Sequence, residues 1–186
     1  MKRAAASISS PRAARPVRAE STAYVAGNRS GDLLGCCVSS VAGVTLCRVE
    51  VTKSLLDRVP VGNLRVPLAE FGALWVEAER LNDEQAGRAS PDWYPAGVAV
   101  TCEWLAAAVI EDAMGRRELA PAPVTRRRVR AYEELIEAEY LAAEQLDVRR
   151  PDLVKHQPGW CEGIRATLRW AWRQDGPRPL AASVAR

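Results

Sequence analysis

Histidine is almost absent from this sequence, and its single copy, His156, restricts the metal chemistry that the chain supports. A closed zinc site needs four ligands, whereas His156 and Cys161 together offer two. As a base and a nucleophile, the same two residues lack a third group to orient them. We therefore predict no metal ligand and no catalytic residue here, and we expect Cys161 to pack in the core.

Other signatures are missing as well. The five cysteines show no Cys-x-x-Cys pair and no regular spacing, which argues against a disulfide framework and indicates a reducing compartment. No glycine-rich loop ends in Gly-Lys-Ser or Gly-Lys-Thr, so no nucleotide cofactor is predicted. No run of about 20 apolar residues is free of charge, so we expect no membrane segment. We expect a cytoplasmic protein with no cofactor and no identifiable small-molecule substrate.

Lysine is also scarce, since only three of the 26 basic residues are lysine, and the charge is unevenly spread. Residues 1–65 carry a net charge of +6 and residues 66–186 a net charge of −3. Alanine, serine, arginine and proline dominate residues 1–32, and we expect residues 1–54 to form a disordered or weakly structured basic region. Its composition resembles an organelle transit peptide, although a flexible tail or a misassigned start explains it more simply.

The most apolar stretch runs from residue 95 to residue 114, and it is apolar on nearly every side of a helix. Such a helix is usually buried at the centre of a domain. Glu103, Glu111 and Asp112 interrupt the stretch, which argues against a membrane span. We therefore predict a central helix over 95–114, with the other helices packed around it.

Apolar residues at helical spacing predict three further helices. Their ranges are 67–87, 125–146 and 158–174. The β-branched stretch 44–52 favours at most one short strand pairing, and no internal repeat is apparent. The predicted fold class is mainly α: a small bundle of about four helices over residues 55–176, with a flexible tail over residues 177–186.

Four arginines gather at the predicted start of the helix 125–146, namely Arg126, Arg127, Arg128 and Arg130. The helix dipole disfavours cations in a first turn, so positive charge at this place needs a reason. One reason is a site for an anion, such as the phosphate backbone of nucleic acid. The other is pairing with the acidic segment 66–115 or with Glu133 and Glu134, which the alternating blocks of charge along the chain favour.

Two carboxylates fall on apolar helix faces. Glu103 interrupts the central helix, and Glu139 lies among the apolar residues of the next helix. A buried carboxylate is costly unless it is paired. We prefer an ion pair of each carboxylate with an arginine, and the alternative is an acid and base pair at the active site of an enzyme.

The last predicted helix combines tryptophan with arginine. Trp170 and Trp172 are two residues apart and do not share one helical face, so one of them should meet another helix or a partner. Arg165, Arg169 and Arg173 line the side opposite the apolar stripe. Because tryptophan and arginine are enriched at interface hot spots, we predict an interaction surface on this helix.

These patterns favour binding over catalysis. We expect a non-enzymatic accessory or regulatory protein that associates with a protein partner, or with itself, through the last helix. Nucleic-acid binding through the cluster of arginines from Arg126 to Arg130 is the first alternative. An enzyme that uses Glu103 and Glu139 is the second.

Overall fold

The computed structural model describes residues 39–41, 44–46, 50–111 and 114–180. All of these residues belong to one compact unit, Gly35–Arg186. Most of the predicted disordered region and residues 181–186 of the predicted tail lie outside the described residues. Within the tail, Pro179 is buried and Leu180 packs against the core.

Most of the described backbone is helical, which confirms the predicted fold class. In chain order the helices are α1 (Lys53–Leu56), α2 (Leu68–Gln85), α3 (Tyr94–Leu105), α4 (Glu133–Ala143), α5 (Leu146–Arg149), α6 (Pro151–His156) and α7 (Trp160–Leu168). A π-helical segment, Arg169–Arg173, continues α7. Helix α3 packs most extensively against α7, and next against α2.

Two antiparallel hairpins complete the described fold. Their strands are β1 (Ser39–Val41) with β2 (Val44–Leu46), and β3 (Val109–Glu111) with β4 (Arg117–Leu119). In the second hairpin Ile110 lies opposite Glu118. The pairing of β1 with β2 agrees with the expectation of at most one short strand pairing near 44–52. The second hairpin was not predicted, because β3 lies within the predicted central helix and pairs with β4 beyond it.

Helix α2 confirms the predicted helix 67–87. Its apolar stripe faces the core, where Phe71, Trp75 and Ala78 are fully buried. Beyond the end of the helix, Gly87 has a φ of +81°, a conformation that glycine adopts without steric cost. The apolar spacing therefore predicted the buried face, and Gly87 marked the end of the helix to within two residues.

The central helix α3 is buried along its length, as predicted, but it ends at Leu105 and does not reach residue 114. At its end the amide of Ala107 donates to the carbonyl of Trp104 at 2.9 Å, and Ala107 has a left-handed φ of +50°. The buried side chain of Asn63 donates to the carbonyl oxygen of Leu105 at 2.7 Å. Because alanine replaces the usual glycine at this turn, the sequence pattern predicted too long a helix.

Helix α4 begins at Glu133 and not at Thr125 as predicted. The hydroxyl of Thr125 donates to the carboxylate of Glu139, so Thr125 does not cap a helix. Glu133 and Glu134 occupy the first turn, where the helix dipole favours negative charge. The arginines from Arg126 to Arg130 therefore lie in the loop before the helix, which corrects their predicted place in its first turn.

Where α3 and α7 cross, a glycine of each helix lies against the backbone of the other helix. A Cβ atom on Gly97 would lie 2.4 Å from the carbonyl oxygen of Trp160, and one on Gly163 would lie 2.3 Å from that of Tyr94. Only glycine lets two backbones approach so closely. Each helix thus offers the other the same contact, as the two sides of a two-fold interface do.

The residues that follow Gly97 and Gly163 match each other in sequence and in hydrogen bonding, so the chain contains an internal repeat. The hydroxyls of Thr101 and Thr167, both fully buried, donate to the carbonyls of Gly97 and Gly163 at 2.7 and 2.8 Å. The two stretches read Gly-Val-Ala-Val-Thr-Cys-Glu-Trp and Gly-Ile-Arg-Ala-Thr-Leu-Arg-Trp. Ahead of them, Trp93 and Trp160 stack edge to face, with ring centroids 6.3 Å apart.

The repeat extends into the preceding helices. Residues 73–82 of α2 and residues 138–147, which span α4 and the start of α5, share the pattern Ala-x-Trp/Tyr-x-x-Ala-Glu-x-Leu-Asn/Asp. We name residues 68–105 the first repeat and residues 133–171 the second repeat. The expectation that the chain has no internal repeat is therefore wrong.

Candidate interaction site on the last helix

The two tryptophans of the last helix are both buried. Trp170 is 7% exposed and Trp172 is 3% exposed, so the assignment of these side chains to a surface contact is corrected. Because the backbone here is π-helical, the relation between residues two apart differs from that in an α-helix. The indole of Trp172 donates to Glu137 at 2.9 Å, and the guanidinium of Arg65 covers its ring at 4.0 Å.

The three arginines of the same helix stay at the surface, and each pairs with a carboxylate of the second repeat. The pairs are Arg165 with Asp147 at 3.1 Å, Arg169 with Glu144 at 3.2 Å, and Arg173 with Glu137 at 3.5 Å. Hydrogen bonding from Arg165 lowers the pKa of Asp147. Ion pairs at this degree of exposure contribute at most about 1 kcal/mol, so they orient the arginines more than they stabilise the fold.

A cleft of about 390 Å³ opens between α7 and the segment that follows the π-helix. We name it the α7 cleft. Its charged lining residues are Arg165, Arg169, Arg178, Glu144, Glu162 and Asp175. The apolar part of the lining is formed by Ala166, Pro177 and Pro179, with Tyr94 at the start of α3. This volume falls in the range of ligand pockets and accommodates a few side chains of a partner.

The α7 cleft has a closed counterpart in the first repeat. Alignment of the two repeats places Ala99, Val100 and Glu103 where the second repeat has Arg165, Ala166 and Arg169. The three residues of the first repeat are 4%, 8% and 8% exposed. The same helical face is therefore covered in one repeat and open in the other.

The predicted nucleic-acid-binding cluster lies on a loop that a buried carboxylate holds in place. Glu139 is fully buried and accepts hydrogen bonds from the amides of Val124 at 2.9 Å and Thr125 at 3.2 Å, and from the Thr125 hydroxyl. Its charge is thus satisfied by the loop, and not by the arginine ion pair that we expected. Hydrogen bonds from these three donors to one carboxylate fix the shape of the segment that carries the arginines.

We name residues 124–130 the arginine loop, and all four of its arginines are exposed. Arg128 forms an ion pair with Glu118 of β4 at 2.6 Å, and Arg126 has a left-handed φ of +61°. Within residues 50–111 and 114–180, no ion pair involves Arg127 or Arg130. Arg127 and Arg130 therefore do not form the predicted ion pairs with Glu133 and Glu134.

The two carboxylates of the predicted enzyme pair, Glu103 and Glu139, have different surroundings. Glu139 binds the loop that carries the arginines, whereas Glu103 is buried in α3 and experiences the charges of Glu79 and Arg126. Burial raises the pKa of Glu103 well above its usual value, the negative charge of Glu79 raises it further, and the positive charge of Arg126 opposes them. Across the described residues, no group of three His, Cys, Asp or Glu side chains is arranged to hold a metal ion.

The remaining candidates have structural surroundings. Cys161 is a buried free thiol, as predicted, and burial raises its pKa. His156 is exposed, and its Nδ1 lies 2.8 Å from the carbonyl oxygen of Asp152. Sequence reasoning missed Glu79, Glu162 and Arg178, although the repeat gave a signal for the first, since Glu79 aligns with the cleft residue Glu144.

The described helices are also limited in their length and apolar character. Among residues 50–111 and 114–180, no helix combines the length and the apolar character that a bilayer crossing demands. The function has to be inferred from the residues of the site. Comparison with protein-family models, with curated proteins and with solved structures finds no match for this chain.

Proposed function

We propose that this chain is a non-enzymatic accessory protein of the cytoplasm, which works by association with a protein partner or with a second copy of itself. The contact surface is the α7 cleft together with Arg165, Arg169 and Arg173. One observation carries the proposal: the second repeat leaves open the helical face that the first repeat buries. The rings of both tryptophans support this surface from within.

The surface is largely organised before any partner binds. Arg165 and Arg169 are held by carboxylates of the second repeat, and Trp172 is fixed by Glu137 and Arg65. Arg178 lines the cleft, and within the part of the chain that the structure describes no ion pair engages it. A preorganised surface loses less conformational entropy on binding, which favours association through this face.

A photoreactive amino acid at Glu162, an exposed residue of the cleft, tests the proposal in cells that produce the full chain. We expect a covalent adduct of defined mass that does not form when the same probe replaces Arg88, which is exposed beyond α2. An adduct at twice the mass of the chain would identify self-association.

A pair of charge-matched variants completes the test. Arg165→Ala with Arg169→Ala should remove the adduct, whereas Arg149→Ala with Arg150→Ala, which removes the same charge elsewhere, should leave it in place. The proposal fails if the Glu162 probe gives no more adduct than the Arg88 probe, or if the adduct survives the loss of the two cleft arginines.

A second candidate function is nucleic-acid binding through the arginine loop. The observation that favours it is the buried carboxylate of Glu139, which fixes a loop whose Arg127 and Arg130 are exposed. Exposed guanidinium groups on a fixed loop suit contacts with phosphate oxygens.

Titration of the full chain with labelled duplex DNA at low and moderate salt tests this candidate. Affinity should fall steeply with salt, and Arg127→Ala with Arg130→Ala should lower the slope of log affinity against log salt by about 2. Arg149→Ala with Arg150→Ala is the matched control and should keep the original slope. If the chain does not bind DNA at low salt, or if all variants give one slope, this candidate is eliminated.

A further inference from the structure

Trp104 and Trp170 occupy equivalent positions in the two repeats, and both rings are buried. Trp104 is 1% exposed and Trp170 is 7% exposed. The carbonyls of the next residues, Leu105 and Ala171, both accept a hydrogen bond from the segment 63–65, at 2.7 and 2.9 Å. The two rings therefore lie in comparable surroundings, and the bonding of their N–H groups can be compared directly.

The indole N–H groups of these two tryptophans differ in their bonding. In the first repeat, the N–H of Trp104 donates to the main-chain carbonyl of Val129 in the arginine loop at 3.2 Å. In the second repeat, no acceptor among the described residues binds the N–H of Trp170. Every buried side-chain nitrogen of the described residues has a partner, so the nitrogen of Trp170 reaches solvent although its ring is buried. Trp170 thus presents an unused donor at the surface.

The chain that follows each helix explains the difference. Both helical segments end in a left-handed residue, Ala107 with a φ of +50° and Gln174 with a φ of +54°. After Ala107 the chain forms the second hairpin and returns through the arginine loop, where the Val129 carbonyl meets the tryptophan nitrogen. After Gln174, residues 175–179 line the α7 cleft instead. Within its described residues, the second repeat therefore has no loop that binds its tryptophan as the arginine loop binds the first.

The unused donor lies beside the α7 cleft. Arg169 immediately precedes Trp170, Ala166 lies one turn before it, and both of these neighbours line the cleft. A polar group at the edge of a buried ring is usually hydrogen-bonded in the assembled state of a protein. Tryptophan is also the residue type that most often anchors an interface. The N–H of Trp170 is therefore placed to bind an acceptor on whatever occupies the cleft.

We infer that the indole N–H of Trp170 binds a main-chain carbonyl of the protein partner, as the N–H of Trp104 binds Val129. The inference rests on the proposed association through the α7 cleft and adds the kind of segment that the cleft takes. Carbonyls inside helices and sheets are already engaged, so the partner contributes a segment outside them, comparable to the arginine loop. This segment belongs to a different protein, because Glu139 and Trp104 hold the arginine loop within its own chain.

Hydrogen exchange of the indole N–H groups tests the difference in bonding. The full chain labelled with nitrogen-15 tryptophan is used, and the indole NMR signals are assigned from through-space contacts in the unaltered protein. We expect the Trp170 signal to exchange with water much faster than the Trp104 signal, since only the second is bonded within the chain. Equally slow exchange of both signals would overturn the inference. This readout stays decisive if a variant does not fold.

The photoreactive amino acid at Glu162 tests the contact with the partner. Trp170→Phe keeps an aromatic ring in the core but removes the N–H. It should lower the yield of the adduct about fivefold, which is the effect of one hydrogen bond on an equilibrium constant. Trp104→Phe is the matched control, because it removes a donor that the chain already uses, and the adduct should keep its wild-type yield.

The outcomes separate the inference from the proposed function. If the wild type gives no adduct at Glu162, association through the cleft is refuted and the inference is refuted with it. If the adduct keeps its full yield in Trp170→Phe, association stands and the inference alone is refuted. An equal loss of adduct in both variants would also refute it, since that loss would reflect stability. A Trp170-dependent adduct at twice the mass of the chain would overturn the assignment of the segment to a different protein.

Discussion

The two repeats have the same helical plan but end in opposite surfaces. In the first repeat, Glu103 lies on a face that the chain buries, beside a second acid. In the second repeat, the equivalent Arg169 is 48% exposed and pairs with Glu144 at the edge of an open cleft. The shared positions hold the fold together, and the positions that differ carry the candidate functions.

The two repeats of one chain thus distinguish positions with a structural role from candidate functional positions. The positions identical in both repeats are glycine, threonine, tryptophan, alanine, leucine and glutamate, and most of them are buried. The positions that changed from apolar to charged, such as Ala99 to Arg165, lie on the face that we assign to association. We therefore expect substitutions at equivalent positions of the two repeats to change stability by similar amounts.

The largest effect is expected from Trp104 and Trp170, which occupy equivalent positions in the two repeats. Trp104→Ala and Trp170→Ala should each destabilise the protein by about 4 kcal/mol, since both indoles are buried. Urea unfolding followed by fluorescence measures this loss. Tyr132→Ala, at an aromatic residue that is 55% exposed, is the control and should cost far less. A Trp170→Ala variant of wild-type stability would show that Trp170 is a surface residue after all.

The reciprocal glycines should give the next largest effect. Gly97→Ala and Gly163→Ala each force a methyl group against a backbone carbonyl of the other helix, and each should cost about 3 kcal/mol. Chemical denaturation of the two variants should give similar values. Gly72→Ala is the control, because its new methyl group meets only the flexible side chain of Leu56. Unequal losses at the two crossing glycines would break the equivalence of the repeats.

Glu139 and Leu74 occupy equivalent positions of the two repeats, and both are fully buried although one is polar and the other apolar. Glu139→Leu should cost about 2 kcal/mol, since the loop amides lose a charged acceptor. Hydrogen exchange at Val124 and Thr125 should become faster. If their exchange stays as slow as in the wild type, the carboxylate does not hold the arginine loop.

The smallest effect is expected from the ion pair of Arg169 with Glu144. A double-mutant cycle with Arg169→Gln and Glu144→Gln should give only a weak coupling, and added salt should reduce it. The measurement is urea unfolding of the four proteins at two salt concentrations. A coupling of several kcal/mol would indicate a buried structural bridge and not an accessible binding surface.

Much of the helical plan could be predicted from the spacing of apolar residues. That spacing gave α2, the burial of α3 and the extent of the last helix. It could not give the end of α3, because Ala107 adopts a left-handed conformation that sequence reasoning reserves for glycine. It also could not reveal that Thr125 binds Glu139, since the contact joins a loop to a helix that starts several residues later.

The candidate site was harder to predict than the fold. The rule that residues two apart face opposite ways holds for an α-helix, and the π-helical segment lies outside it, so both Trp170 and Trp172 are buried. The internal repeat was hidden because its shared residues are few and because the alignment shifts by one residue between the two helices of each repeat. Arg178 lines the cleft, but it lies outside the predicted helices, so helical spacing could not place it beside α7.

Carboxyl footprinting of the full native chain compares the closed and the open repeat in one measurement. A carbodiimide activates accessible carboxylates, a small amine captures them, and mass spectrometry gives the rate at each residue. We expect fast modification of Glu144 and Glu162 in the second repeat, and much slower modification of Glu79 and Glu103 in the first. Equal rates at all four residues would contradict the distinction between a closed and an open repeat on which the proposed function depends.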